Sequence, residues 1–119
     1  MIQRLFNREG QSFGHYPLRI VWLLLDEPLS KAPAQFALSV PKKNFRRAVH
    51  RNRVRRLVRE AYRLNKPRLY RALEGEERQL ALMVLYTGKE ELSFAEIERA
   101  MRGMLGRLVK KYRQQGGNS

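Results

Sequence analysis

Ala48-Val49-His50-Arg51-Asn52-Arg53-Val54-Arg55-Arg56-Leu57-Val58-Arg59-Glu60-Ala61-Tyr62-Arg63-Leu64 is the stretch that decides the fold. At 100° per residue Val54, Leu57, Val58 and Ala61 share one side, while Asn52, Arg55, Arg56, Arg59 and Arg63 share the opposite arc. The spacing predicts a helix over 48–64 with an apolar face to pack and a cationic face to present. Asn65-Lys66-Pro67 reads as its stop, because proline has no N–H for the helical ladder and disfavours helical backbone in the residue before it.

Strand signals lie on both sides of this helix. Phe36–Val40 precedes it and stops at Pro41, a poor residue for a strand interior. Leu80–Tyr86 follows it and ends at Thr87-Gly88. Further upstream Leu18–Leu25, LRIVWLLL, runs between Pro17 and Asp26-Glu27-Pro28. The loop 28–35 has a length that suits antiparallel pairing of 18–25 with 36–40. Arg68–Gln79 reads as a polar connection carrying an acidic patch at Glu74, Glu76 and Glu77.

The last element opens with Ser93 and Glu96 at capping-box spacing. Ile97, Met101, Met104, Leu105, Leu108 and Tyr112 then form one helical stripe, expected to pack against the sheet. Residues 116–119 read as a flexible tail, which leaves 1–115 as a single domain. Strands before and after a helix indicate a two-layer α/β sandwich with a mixed sheet. The general rule would make the crossover through the helix right-handed.

Charge points to the partner. Between Lys42 and Arg71 stand thirteen Lys or Arg residues and one acid, Glu60, whereas the remaining twelve basic and ten acidic residues nearly cancel. The excess is therefore local, and it is dominated by arginine, whose planar fork matches phosphate oxygens. A polyanion, and nucleic acid first, is the expected partner. The aromatic residues Phe6, Phe13, Tyr16, Trp22, Phe45 and Tyr62 are interleaved with this chemistry, and a ring stacked on an unpaired base contributes roughly 1–3 kcal/mol.

Other chemistries find little support. The chain has no cysteine, so disulfides and thiolate metal sites are excluded and a cytoplasmic location is expected. His15 and His50 are isolated in sequence. Glu90-Glu91 and Glu96/Glu98 do not place two carboxylates on one helical face, and surface or cap roles suit them better. No P-loop, GxGxxG or GxSxG motif occurs. The longest apolar run, Ile20–Leu25, is too short to span a bilayer.

Two strings carry a family resemblance: Ser39-Val40-Pro41-Lys42-Lys43, and Arg47-Ala48-Val49-His50-Arg51-Asn52-Arg53-Val54-Arg55-Arg56-Leu57-Val58-Arg59-Glu60-Ala61-Tyr62-Arg63. Together they resemble the signature of the bacterial ribonuclease P protein subunit, and the flanking strand and terminal helix fall where that family places them. The resemblance implies an α-β-β-β-α-β-α order, a four-stranded mixed sheet and a left-handed βαβ crossover, against the general rule. The fourth strand is expected in or near the loop between Leu25 and Phe36. Family members usually extend further upstream, so the chain begins partway through their first helix.

The functional implications follow the same resemblance. A large RNA, using Mg²⁺, removes the 5′ leader of precursor tRNA, and the protein binds that RNA and the leader without supplying the catalyst. The chain is then the non-catalytic subunit of a ribonucleoprotein endoribonuclease and binds no cofactor of its own. Arg51, Asn52, Arg53, Arg55, Arg56 and Arg59 match the motif that contacts the catalytic RNA, Lys42 and Lys43 match the basic pair at its entry, and Arg47 and Arg63 extend the cationic face. Phe6, Trp22 and Phe13 are candidates for the leader-binding cleft between the sheet and the first helix. Two other readings stand beside this one. A ribosomal or other structural RNA-binding protein would bind RNA without stimulating tRNA processing, and a stand-alone nuclease would cleave precursor tRNA by itself.

Overall fold

The computed structural model describes residues 11–116. It contains strands β1 (Gln11–His15), β2 (Leu18–Leu25) and β3 (Ala34–Ser39), helix α1 (Ala48–Ala72), strand β4 (Gln79–Tyr86) and helix α2 (Phe94–Gly116). The four strands form one mixed sheet in the order β1-β2-β4-β3, with β3 parallel to β4 and the other two pairings antiparallel. The expected four-stranded α/β sandwich is thus present, whereas the position of the helix expected before β1, and Phe6, lie outside the described residues.

Alternation along the strands sorts the side chains between two faces. Phe13, Ile20, Trp22, Leu82 and Val84 point to the layer formed by α1 and α2, which also pack on each other. Val21, Leu23, Leu25, Ala81 and Met83 form a second apolar cluster on the opposite face. In α2 the stripe behaves as expected: Ile97, Met101, Met104, Leu105 and Leu108 are fully buried, and Tyr112 packs against the cluster. Its start is capped as predicted, since the Glu96 N–H donates to Ser93 Oγ at 3.2 Å.

Three expectations are corrected. The strand 18–25 does not pair with the strand at 34–39; β4 lies between them. Seven of the eight residues of β4 are buried, so this strand needs cover on both faces and a partner on both edges, which only a central position supplies. The fourth strand is not in the 26–35 loop but at Gln11–His15, joined to β2 by Tyr16-Pro17. It is an edge strand with one buried residue, Phe13, and so leaves almost no alternating pattern to read.

The third correction concerns the end of α1, which continues through Pro67 to Ala72. Pro67 has no N–H for the carbonyl of Arg63, yet the next turn places Leu69 in the core and leads to buried Leu73. At roughly 25 cal/mol per Å² of apolar surface, that burial offsets one lost backbone bond. Asn65 stabilises the region instead of ending it: its Nδ2 donates to the Ala61 carbonyl at 2.8 Å and to Glu98 Oε2 at 3.0 Å. The helix stops at the following turn, where Gly75 adopts φ +85.

Candidate nucleic-acid interface

Helix α1 is about 37 Å long at 1.5 Å per residue and lies with Val54, Val58 and Ala61 in the core. Asn52, Arg56, Arg59 and Arg63 are exposed on the far side and Arg55 is half-buried, as the periodicity requires. With Leu57 and Glu60 they line an open groove along the helix.

The entry to the helix is built to hold its cations still. The Asn44 and Phe45 N–H groups donate to the carbonyls of Pro41 and Lys42, forming a turn that leaves Lys42 and Lys43 exposed. Asn44 Nδ2 donates to the carbonyls of Tyr86 and Gly88, both at 3.2 Å, and Phe45 is buried against Tyr86 with ring centroids 5.8 Å apart. Arg51 closes the arrangement by donating to the carbonyls of Phe45 and Arg46 at 2.8 and 3.0 Å.

The first turn of α1 opposes ordinary helix energetics. Its N-cap is Arg47, with no side-chain cap, and it contains no acid. Cations at the positive end of the helix dipole are unfavourable, each by a few tenths to about 1 kcal/mol, and the free N–H groups there favour an anion. This end of the helix is therefore suited to a phosphate.

The arginines divide into paired and unpaired. Arg63 makes a bidentate pair with Glu60, Nε to Oε1 and Nη2 to Oε2, both at 2.7 Å. Hydrogen bonding from Arg63 lowers the Glu60 pKa, and the carboxylate raises that of Arg63. Arg55 donates to Asn52 Oδ1 at 3.1 Å. Arg53 lies 3.6 Å from Glu91, whose other oxygen is 3.0 Å from His50 Nδ1. Among the described residues Arg47, Arg56 and Arg59 have no acidic partner and are open to a ligand. Neither the Glu91 contacts nor the structural bonds of Arg51 could be read from the helix pattern, because both depend on loop residues outside it.

The aromatic residues are placed differently from expectation. Trp22 is 1% exposed and sits on the helix-facing side of β2, so it does not offer a ring to a base. Alternation alone could not choose between two faces that are both apolar. Phe13 is buried beneath Arg107 and Lys111, whose charges lie 4.6 and 5.6 Å from the ring centroid. Tyr62 stacks on Phe36 at 4.1 Å between centroids, and burial pushes its hydroxyl pKa up.

Among the described residues no group of three or more His, Asp or Glu side chains could hold a metal ion, and no helix is long and apolar enough to cross a membrane.

A two-layer α/β sandwich that presents a pre-ordered arginine face on one helix defines the class: a polyanion-binding module. The chain belongs to the Ribonuclease P family, whose model matches residues 1–109. The Ribonuclease P protein component of Porphyromonas gingivalis strain ATCC 33277 is 45% identical over 101 residues, covering 85% of this chain and 73% of that protein. That of Chlorobaculum tepidum is 33% identical over 126 residues, covering 95% and 80%. The solved structure of the Staphylococcus aureus RNase P protein, at 18% identity, has a TM-score of 0.68 over 90% of this chain and 87% of that one, a likeness of fold. The chain is a protein subunit of ribonuclease P, an endoribonuclease of tRNA processing.

Proposed function

We propose that the chain binds the catalytic RNA of ribonuclease P through α1 and its entry turn and assists removal of the 5′ leader from precursor tRNA in the cytoplasm. The observation that carries this reading is the exposed arginine face of α1, with Arg56 and Arg59 lacking acidic partners among the described residues and an uncapped, acid-free first turn at its end. Lys42, Lys43, Arg47, Arg51, Asn52, Arg53, Arg55, Arg56, Arg59 and Arg63 form the proposed contact set. Arg51 orders the entry turn as well as adding charge.

Arginines fixed on a helix engage phosphates without reading bases, so such a surface recognises a folded RNA by its backbone. In this reading the RNA supplies the catalyst and uses Mg²⁺, and the protein supplies affinity. Leader binding, if it uses stacking, needs rings other than Trp22 and Phe13, which are buried. Family membership removes the motive for a ribosomal reading.

Precursor-tRNA cleavage by a bacterial ribonuclease P RNA at low magnesium, with the chain, without it, and with the chain alone, tests the proposal. Stimulation only in the presence of both is the expected result. Cleavage by the chain alone, or no stimulation by a chain that binds the RNA, would contradict it.

A further inference from the structure

We infer that the outer face of α2, together with Arg68 of α1, is a second RNA-backbone contact surface, separate from the arginine face of α1. This inference rests on the RNA-binding reading and extends it to a part of the chain outside the family motif.

From Arg99 to the end of the chain there are six Lys or Arg residues and no acid. They do not all do the same work. Arg107 and Lys111 lie over the Phe13 ring and cover the core. Arg99, Arg102, Lys110 and Arg113 are exposed, and steps of three, eight and three residues keep them in one stripe opposite Met101, Leu105 and Leu108. Arg99 and Lys110, eleven residues apart, are about 16 Å from each other along the axis. Among the described residues the only acid paired with the stripe is Glu98, 3.8 Å from Arg102.

Two glycines interrupt the stripe, at a cost of about 1 kcal/mol each relative to alanine in a helix interior. The structure gives each a reason. A Cβ at Gly103 would lie 2.5 Å from His15 Cε1, and one at Gly106 would lie 3.1 Å from Arg68 Nη2. Gly106 thus lets the Arg68 guanidinium lie against α2, where Nη2 donates to the Arg102 carbonyl at 2.6 Å. A cation from α1 is docked among cations of α2, and among the described residues no carboxylate is bonded to it. Stability alone does not account for this. Arg113, in the last turn, does complement the negative end of the helix, but Arg99, Arg102 and Lys110 are too far from that end to gain from it. A phosphate backbone resting on the stripe would relieve the repulsion, and the Arg68 guanidinium seated over Gly106 adds its charge to the same surface.

The test is the salt dependence of binding to a bacterial ribonuclease P RNA by the intact chain, by Arg99→Ala/Lys110→Ala, and by Arg56→Ala. Both α2 positions are exposed, so thermal melting should match the parent and exclude misfolding. The expected result is a log–log salt slope smaller by roughly 1.4 to 1.8 for the α2 double variant, 0.7 to 0.9 for each lost phosphate contact. If Arg56→Ala lowers the slope and the α2 variant does not, the inference is overturned while the RNA-binding role of α1 stands. If neither variant changes the slope, the RNA-binding reading fails and the inference fails with it.

Discussion

Arg56→Ala/Arg59→Ala and Arg63→Ala remove charge from the same face of α1, and the structure predicts that they will not behave alike. Arg56 and Arg59 have no acidic partner among the described residues, so each is free to release counterions on meeting a phosphate. Losing two such contacts should reduce the salt slope by roughly 1.4 to 1.8, so that between 50 and 200 mM salt, a fourfold range, the double variant should lose about tenfold less affinity than the parent. Arg63 is already held by Glu60 through two 2.7 Å bonds. Its replacement frees an acid beside the RNA without removing an unpaired cation, so affinity should fall while the slope changes by well under the value for an open contact. Filter binding or fluorescence anisotropy over a salt series, with a bacterial ribonuclease P RNA, separates the two. Equal slope changes per residue for Arg63 and for Arg56 or Arg59 would show that the pairing is not retained in the complex and would refute the distinction.

Other predictions concern stability. Leu108→Ala empties a fully buried site beneath α2 and should cost about 2–5 kcal/mol in denaturant unfolding. Gly75→Ala places a side chain at φ +85 and should destabilise by about 1–2 kcal/mol, although its Cβ would meet nothing within 4 Å. Glu76 is held by Arg78 and by the Tyr112 hydroxyl at 2.9 Å, chiefly the former, which brings its carboxyl from 4.5 down to about 2. The stabilisation is therefore present above pH 4.5 and lost as pH falls toward 2, so the melting temperature should decline over that window and Glu76→Gln should flatten the decline. Trp22→Ala, because the ring is core, should lower the melting temperature by an amount that RNA does not restore selectively for leader-bearing substrates.

Much of the fold could be read because periodicity and burial agree where they are strong. Val54, Val58 and Ala61 fixed the orientation of α1, and the Ile97 to Leu108 stripe fixed that of α2. The arginine face was legible for the same reason. What could not be read depended on competition between distant parts of the chain. Pro67 carries a local stop signal, but Leu69 and Leu73 gain more by staying in the core than the ladder loses. Sheet order turned on which strand is buried on both faces, a comparison among strands that no single window contains. Trp22 could have faced either side because Val21 and Leu23 are as apolar as Ile20. The division of the arginines into paired and open needed the positions of Glu91, Phe45 and Arg46 in space.

The central claim, that the arginine face of α1 lies on the catalytic RNA, can be measured directly because the chain has no native cysteine. Val49 is 61% exposed in the first turn of α1, and Leu29, 60% exposed, lies in the β2–β3 loop where its N–H donates to Gln79, near the far end of that helix. Val49→Cys and Leu29→Cys would each be labelled with an iron chelate that cuts nearby RNA, and the ribonuclease P RNA complex probed. The account predicts a confined set of strong cuts from position 49 and weak or no cutting from position 29. Strong cutting from 29 with none from 49 would mean that the protein meets its RNA by another surface.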